Sequence, residues 1–176
     1  MPGTKTYLAS LGQFDVVYSW GVLHHTGDLW RALQLVSQRV AADGRLWIAV
    51  YNDQGWASYL WGLIKRLYNR LPPALRGVVL VPAFLRLWGP TVLRGVLAGN
   101  PLRGWKSSAE RGMFPWTDVV DWVGGYPFEV ATPGEVFNFC HALGFELERL
   151  KTCGGGRGCN EFLFRKNGRG APKCAA

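Results

Sequence analysis

The first third of the chain has the apolar pattern of a strand, a helix and a second strand. Phe14 to Trp20 is a short β-branched and aromatic run closed by Gly21, which predicts a buried strand. Asp28 then opens a helix that ends at Asp43-Gly44, and its apolar positions recur at helical spacing: Leu29, Ala32, Leu33, Val36 and Val40. Arg45 to Tyr51 is a second apolar run. Because a strand, helix and strand with short joints form one crossover, the two strands are expected to be parallel.

The middle of the chain, residues 56–125, predicts a helical insertion. Its helical segments are divided by prolines: Tyr59 to Leu71, one or two helices within residues 74–98 broken near Pro82 and Gly89-Pro90, and Trp116 to Val123. Pro101 to Pro115 is expected to be a loop. The insertion therefore separates two regions that have strand and helix patterns.

The last third predicts a helix followed by a hairpin. In Thr132-Pro133-Gly134-Glu135, threonine is followed three residues later by glutamate, which is a capping box with proline at the first helical position. That helix is expected to end at Gly144 and to bury four residues: Val136, Phe137, Cys140 and Leu143. Phe145 to Thr152 and Asn160 to Arg165 alternate as strands of an antiparallel hairpin. The glycines between them, in residues 154–158, open a strand and no helix, so a turn is favoured over a phosphate-binding loop.

Composition places an unusual charge within this pattern. The 176 residues are 48% hydrophobic and 14% aromatic, which excludes a disordered chain and suggests one domain over residues 1–166 with a flexible tail at 167–176. The net charge is +8. Residues 56–112 carry nine basic residues and one acidic residue, while the remainder carries 11 of each, so all of the excess lies in residues 56–112.

No targeting, membrane or metal pattern is evident. No apolar signal-peptide core follows Met1, and the four cysteines form no C-x-x-C pair, so reduced thiols in the cytoplasm and no metal site are expected. The longest uncharged apolar run is Gly77 to Leu85, far below the roughly 20 residues of a membrane span. A transmembrane protein is therefore not expected.

Candidate chemistry follows each of the first two strands. His24 and His25 lie just beyond the first strand, where open α/β sheets bind ligands, and either could be a base near neutral pH. The alternative is that one histidine packs against the sheet and the other caps the next helix. Asn52 and Asp53 follow the second strand, either as turn formers or as part of a shared cleft.

The residues from Phe14 to Asp28 resemble the central region of class I S-adenosylmethionine-dependent methyltransferases, in the branch of quinol and small-molecule O-methyltransferases. The pattern Asp15-Val16-Val17, Leu23-His24-His25 and Asp28 carries the resemblance. It implies a partial Rossmann-like methyltransferase sheet in which the first strand matches the fourth of seven and the last strand inserts antiparallel. The fold class implied is α/β, with parallel strands, a C-terminal antiparallel hairpin and a helical insertion.

The resemblance also implies roles for particular residues. Ser19, Trp20 and Gly21 would line the methionine end of the cofactor, S-adenosylmethionine, and His24 or His25 would lie near the accepting atom. The side of a small-molecule methyl acceptor would be shaped by four residues: Asn52, Asp53, Tyr126 and Glu129. A base is needed where the acceptor is a hydroxyl or amine that loses a proton.

One departure from the family stands out. The family's first strand, glycine-rich turn and ribose-binding acidic residue do not occur before Phe14. The chain is therefore expected to be the C-terminal portion of a methyltransferase that binds S-adenosylmethionine weakly or not at all. The Phe14–Trp20 strand would then be an unpaired apolar edge, which favours aggregation or marginal folding.

The basic apolar segment, residues 56–112, allows three interpretations. It could be a helical lid with a solvated basic face, an interfacial surface that contacts anionic membranes, or a site for nucleic acid. Its Leu, Val and Trp content disfavours nucleic acid. An alternative function is then a non-catalytic remnant that interacts with a membrane or a partner through this segment, so the location is cytoplasmic with an option of peripheral membrane contact.

Overall fold

The computed structural model describes residue 7 and residues 10–100, 114–156 and 158–168. The described residues form four strands and five α-helices in this order: β1 Phe14–Trp20, α1 Leu29–Ser37, β2 Val40–Tyr51, α2 Trp56–Arg70, α3 Gly77–Leu97, α4 Pro115–Gly124, α5 Pro133–Ala142, β3 Phe145–Lys151 and β4 Cys159–Lys166. Short 3₁₀ turns cover Leu23–His25 and Pro73–Leu75. The predicted loop at 101–115 lies outside the described residues except for its last two, as does the tail beyond residue 168.

The four strands form one mixed sheet in the order β1-β2-β4-β3. β1 and β2 are parallel, which confirms the crossover prediction, and β3 and β4 form the predicted antiparallel hairpin. β4 lies between β2 and β3 and is antiparallel to both. The fold is therefore mixed α/β, with one parallel pair of strands.

One face of the sheet is covered by α1 and α5. The core between them is apolar and contains residues from both helices and from alternate positions of β2 and β4: Leu29, Leu33, Val136, Cys140, Leu46, Ile48, Val50, Phe162 and Phe164. On the other face, Tyr18, Trp20 and Trp47 contact one another through their rings and are 40–59% exposed. The prediction that β1 is buried is therefore wrong, because β1 is an edge strand with one exposed face in the part of the chain that the structure describes.

The boundary between α1 and β2 differs from the predicted one. The helix ends at Ser37, and the strand begins at Val40. The sequence pattern instead predicts Val40 on the inner side of the helix. Val40 pairs with Phe14 before an irregularity, after which Arg45 pairs with Val16. Asp43 has a φ of 60°, and a Cβ on Gly44 would lie 3.0 Å from two backbone oxygens. Asp43-Gly44 therefore forms a bulge inside the strand and does not end the helix.

Helix α5 begins as the capping box predicts. The Thr132 hydroxyl accepts a hydrogen bond from the Glu135 backbone N–H, and the Glu135 carboxylate accepts one from the Thr132 N–H. Val136 and Cys140 are buried as expected, but Phe137 is 38% exposed. Phe137 is exposed because it follows Val136 by about 100° around the helix and leaves the buried stripe.

The chain divides into two compact units. Unit 1 comprises residues 1–58 and 127–176, and unit 2 comprises residues 59–126. Within unit 1, the strand end before unit 2 and the segment after it are joined by backbone hydrogen bonds. The Ala131 N–H donates to the Tyr51 carbonyl at 3.0 Å, and the Asp53 N–H donates to the Ala131 carbonyl at 3.2 Å.

Unit 2 is a helical unit with its own core. Tyr68 of α2, Leu80 and Ala83 of α3, and Val119 and Val123 of α4 are its buried apolar residues. The predicted break in residues 74–98 is wrong, because α3 continues through both of its prolines after a 3₁₀ turn at Pro73–Leu75. Leu80 and Ala83, on either side of Pro82, are buried in this cluster.

The helical segment Pro73–Leu97 has the length and mean hydropathy of a membrane span, and 11% of its 18-residue apolar stretch is buried. This segment is longer than the uncharged run Gly77 to Leu85, because it continues past Arg86. Length and composition are weak evidence for a span, since other apolar helices share them.

Candidate functional site

The candidate site lies at the edge of the sheet where β1 and β2 both end. Gly21 follows β1 with a φ of 71°, and its N–H donates to the Ala49 carbonyl of β2 at 3.3 Å. A Cβ at Gly21 would have no heavy atom within 4 Å, so its backbone faces open space. The 3₁₀ turn Leu23–His25 comes next and places both histidines beside the last residue of β2.

His24 is a fully buried part of this edge. The Tyr51 backbone N–H donates to Nδ1 of His24 at 3.3 Å, and the two rings are 3.8 Å apart between centroids. The His24 carbonyl accepts a hydrogen bond from the Glu129 N–H at 3.0 Å. Because Nδ1 accepts this hydrogen bond, the neutral His24 ring carries its proton on Nε2.

His25 has the opposite arrangement. Its Nδ1 lies 2.6 Å from the Pro127 carbonyl oxygen, and its side chain is half-buried. A carbonyl only accepts hydrogen bonds, so Nδ1 carries the proton and Nε2 of the neutral ring has the lone pair. That tautomer leaves Nε2 of His25 able to accept a proton from another molecule.

Glu129 and Asp28 together hold the start of α1. Asp28 accepts a hydrogen bond from the Arg31 N–H at 3.1 Å, and Oε1 of Glu129 accepts one from the Leu29 N–H at 3.1 Å. Helix capping by a histidine is therefore wrong. Among the described residues, Oε2 of Glu129 is buried and has no hydrogen-bond partner. A buried carboxylate oxygen of this kind can accept a hydrogen bond from a ligand hydroxyl or ammonium group.

Asn52 and Asp53 anchor turns at the same edge. Asn52 accepts a 2.9 Å hydrogen bond from the buried Asn160 side chain, and its N–H donates to the Gly158 carbonyl at 3.0 Å. Asp53 accepts a 2.7 Å hydrogen bond from the Gly55 N–H, which is an Asx turn. The Asp53 contact matches the turn-forming interpretation, whereas Asn52 continues the sheet through a bridge to Ala131 and its bonds to the β3–β4 hairpin.

The remaining sequence-predicted residues are distributed as follows. Ser19 is half-buried in β1, opposite Ile48, and Trp20 is 40% exposed on the uncovered face of the sheet. Tyr126 is 45% exposed and belongs to unit 2, whereas the other predicted site residues belong to unit 1.

Two aromatic residues of the site were missed by sequence reasoning. Tyr51 lies 5.5 Å from the His25 ring and 5.6 Å from the Phe128 ring, between centroids, in addition to its contact with His24. Tyr51 is the last residue of β2 and directly precedes Asn52 and Asp53, the polar pair that the sequence predicts for the site. Its position at the end of a parallel strand was the available signal.

Two further kinds of chemistry, metal binding and thiol reactivity, depend on the cysteines, histidines and acidic residues of the chain. Within the described ranges, no group of three His, Cys, Asp or Glu side chains could hold a metal ion. Burial raises the pKa of Cys140 to about 12 and that of Cys159 to about 11, so both thiols stay protonated at neutral pH.

Comparison with protein-family models and with curated proteins gives no match for this chain.

Proposed function

We propose that this chain takes part in methyl transfer from S-adenosylmethionine to a hydroxyl group of a small molecule. The observation that carries the proposal is the 2.6 Å contact between Nδ1 of His25 and the Pro127 carbonyl, because it leaves Nε2 as a proton acceptor beyond the end of β1. The order of the strands supports it, since the antiparallel β4 inserts between β2 and β3 as the resemblance to these methyltransferases implies.

The residues present fit one end of the cofactor. The open backbone at Gly21 and the Trp20 indole suit the methionine end, where an aromatic face can attract a positive sulfonium. The Ser19 side chain does not join them, because successive residues of a strand point to opposite faces of the sheet. Residues 16–27 contain no carboxylate that could bind ribose hydroxyls. When bound, S-adenosylmethionine supplies an electrophilic methyl group, and this chain supplies the methionine side of its site.

The chain's own groups would act on the acceptor. Nε2 of His25 takes the proton of the acceptor hydroxyl, and the Pro127 carbonyl holds the ring and stabilises the resulting imidazolium through Nδ1–H. His24 is a positioning residue, because it is buried between the Tyr51 backbone and the Glu129 N–H. A base of this kind contributes about 10²- to 10⁴-fold to the rate.

A ligand titration followed by amide NMR tests the proposal at the weak affinity that is expected. S-adenosylhomocysteine, whose homocysteine part corresponds to the methionine end of the cofactor, should shift the amide signals of residues 19–25, whereas adenosine alone should not. Gly21→Ala should abolish these shifts, because a Cβ at a φ of 71° distorts the backbone that faces the ligand.

Gly12→Ala is the matched control for Gly21→Ala. Gly12 has a φ of 78° and equally open surroundings, so the backbone strain is the same at a position away from the site. Its shifts should equal those of the unsubstituted chain. Equal responses to adenosine and S-adenosylhomocysteine, or no selective shift at millimolar ligand, would rule out the proposal.

A further inference from the structure

Helix α3 carries an uncovered apolar stripe along one side. Its members recur at helical spacing, share one face and are 36–71% exposed: Val78, Val81, Leu85, Val92 and Val96. Leu80 and Ala83, on the opposite side, are buried in the core of unit 2. The exposed stripe contains no charged residue, and a continuous apolar surface of this kind marks an interaction site.

Helix α2 has a similar stripe. Trp56, Leu60, Leu63 and Leu67 follow one another at intervals of four, three and four residues and are 41–75% exposed. Lys65 and Tyr68 lie on the other side of the helix and are buried. Both α2 and α3 therefore have an exposed apolar side.

The charges around these stripes identify the occupant. Residues 56–100 contain six basic and no acidic residues. By helical spacing, three exposed arginines flank the stripes: Arg66, Arg70 and Arg86. A second copy of the chain on this surface would bring like charges together. Nucleic acid would neutralise the arginines but leave the apolar stripes in water. An anionic lipid surface satisfies both, because headgroup phosphates bind arginine and acyl chains accept the stripes.

We propose that α2 and α3 lie on an anionic membrane surface, with the two stripes inserted among the lipids and the arginines at the headgroups. The helices lie in the interface and do not cross the bilayer. A spanning α3 would place Arg86, which is near its middle, in the hydrocarbon, and a charge there is strongly unfavourable. This interaction does not depend on methyl transfer, since none of these residues belongs to the candidate site.

Flotation of the full chain with vesicles tests this proposal. Vesicles of phosphatidylcholine and phosphatidylglycerol should carry the chain upward at low salt, and pure phosphatidylcholine vesicles should bind it far less. High salt should weaken binding, because it screens the arginines. Bound chain should be released by alkaline carbonate, as an interfacial protein is.

Two sets of variants separate the apolar and the charge contributions. Leu85→Glu places a charge within the stripe and should lower vesicle binding roughly tenfold or more. Leu150→Glu, at a leucine of 41% exposure in β3, is the matched control and should bind as the unsubstituted chain does. Replacing Arg66, Arg70 and Arg86 by glutamine should lower binding to anionic vesicles by about fivefold per residue.

The possible outcomes are distinct. Loss of binding in Leu85→Glu and in the arginine variant, with Leu150→Glu unchanged and circular dichroism preserved, supports the proposal. Retention through carbonate indicates a spanning helix and overturns it. It is equally overturned by absence of binding to anionic vesicles at low salt, or by self-association in solution that Leu85→Glu abolishes.

Discussion

The most unusual single residue is Lys65, a lysine whose side chain is fully buried in unit 2. Its Nζ donates a hydrogen bond to the Trp122 carbonyl and lies 4.3 Å from the centre of the Trp122 ring. Burial lowers the pKa of Lys65 from 10.5 to about 8, because the charged amine loses hydration. At neutral pH the buried Lys65 amine is therefore charged, and its lost hydration lowers the free energy of unfolding.

Lys65→Met should show this cost as a function of pH. Between about pH 8 and pH 10.5 the unfolded chain keeps a proton on Lys65 that the folded chain has lost, so the native protein gains stability as the pH rises. Relative to Lys65→Met, the unsubstituted chain should gain about 3 kcal/mol in free energy of unfolding over that interval. Denaturant unfolding at several pH values, followed by tryptophan fluorescence, measures the difference.

Lys151→Met is the control for that experiment. Lys151 is exposed and paired with Glu161 at 2.9 Å, so its replacement removes a surface ion pair and no buried amine. Its difference from the unsubstituted chain should not change over the same pH interval. A flat difference for Lys65→Met would show that Lys65 is not titrating in its buried environment.

At the scale of an element, α5 depends on its first turn. The Thr132 hydroxyl both accepts from the Glu135 N–H and donates to the Glu135 carboxylate at 2.7 Å. The backbone N–H and then the hydroxyl of Thr132 lower the pKa of Glu135. Because the folded-state value is the lower one, the associated stabilisation is present at neutral pH and is lost as the pH falls through it.

Thr132→Ala should lower the free energy of unfolding by about 1 kcal/mol at neutral pH. The difference should shrink in acid, where the carboxylate takes up a proton and its bond from the hydroxyl weakens. Thermal or denaturant unfolding at both pH values checks this, with Thr152→Ala, at an exposed threonine outside the helix, as the control. An equal loss in the two variants would mean that the capping contact is not what stabilises α5.

The elements that were predictable are those specified by neighbouring residues. The capping box at Thr132 and the apolar run of β1 lie within a few positions, so their elements follow from local chemistry. The continuity of α3 through Pro82 was not predictable, because it depends on packing against residues far along the chain. The same holds at the candidate site, where the carbonyl that sets the His25 tautomer belongs to Pro127, 102 residues away.

At the scale of the whole molecule, unit 1 presents an aromatic sheet face beside an edge strand. Val16, Tyr18 and Trp20 of β1 point to the uncovered side, and Asp15 is the only charge in the strand. In the described residues, β1 pairs with β2 alone and leaves one row of backbone groups unpaired. An apolar edge of this kind pairs readily with another chain.

Val16→Lys should therefore reduce concentration-dependent self-association. A lysine on an edge strand blocks strand pairing without removing a buried contact, because Val16 is 59% exposed. Val22→Lys, at a valine of 58% exposure outside the strand, is the matched control and should associate as the unsubstituted chain does. Sedimentation velocity over a range of concentrations decides it, and identical behaviour of both variants would exclude the β1 edge as the contact.

The two hydrogen bonds at Ala131 have a consequence for how this chain can change over evolutionary time. They tie the segment that follows unit 2 to the end of β2, so the scaffold of unit 1 is closed on itself at the insertion point. Residues 59–126 can then change in length and composition through insertions, deletions and substitutions without changing the register of the sheet. Such a gene can acquire a new partner for its inserted helices while the 3₁₀ turn that carries His24 and His25 stays as it is.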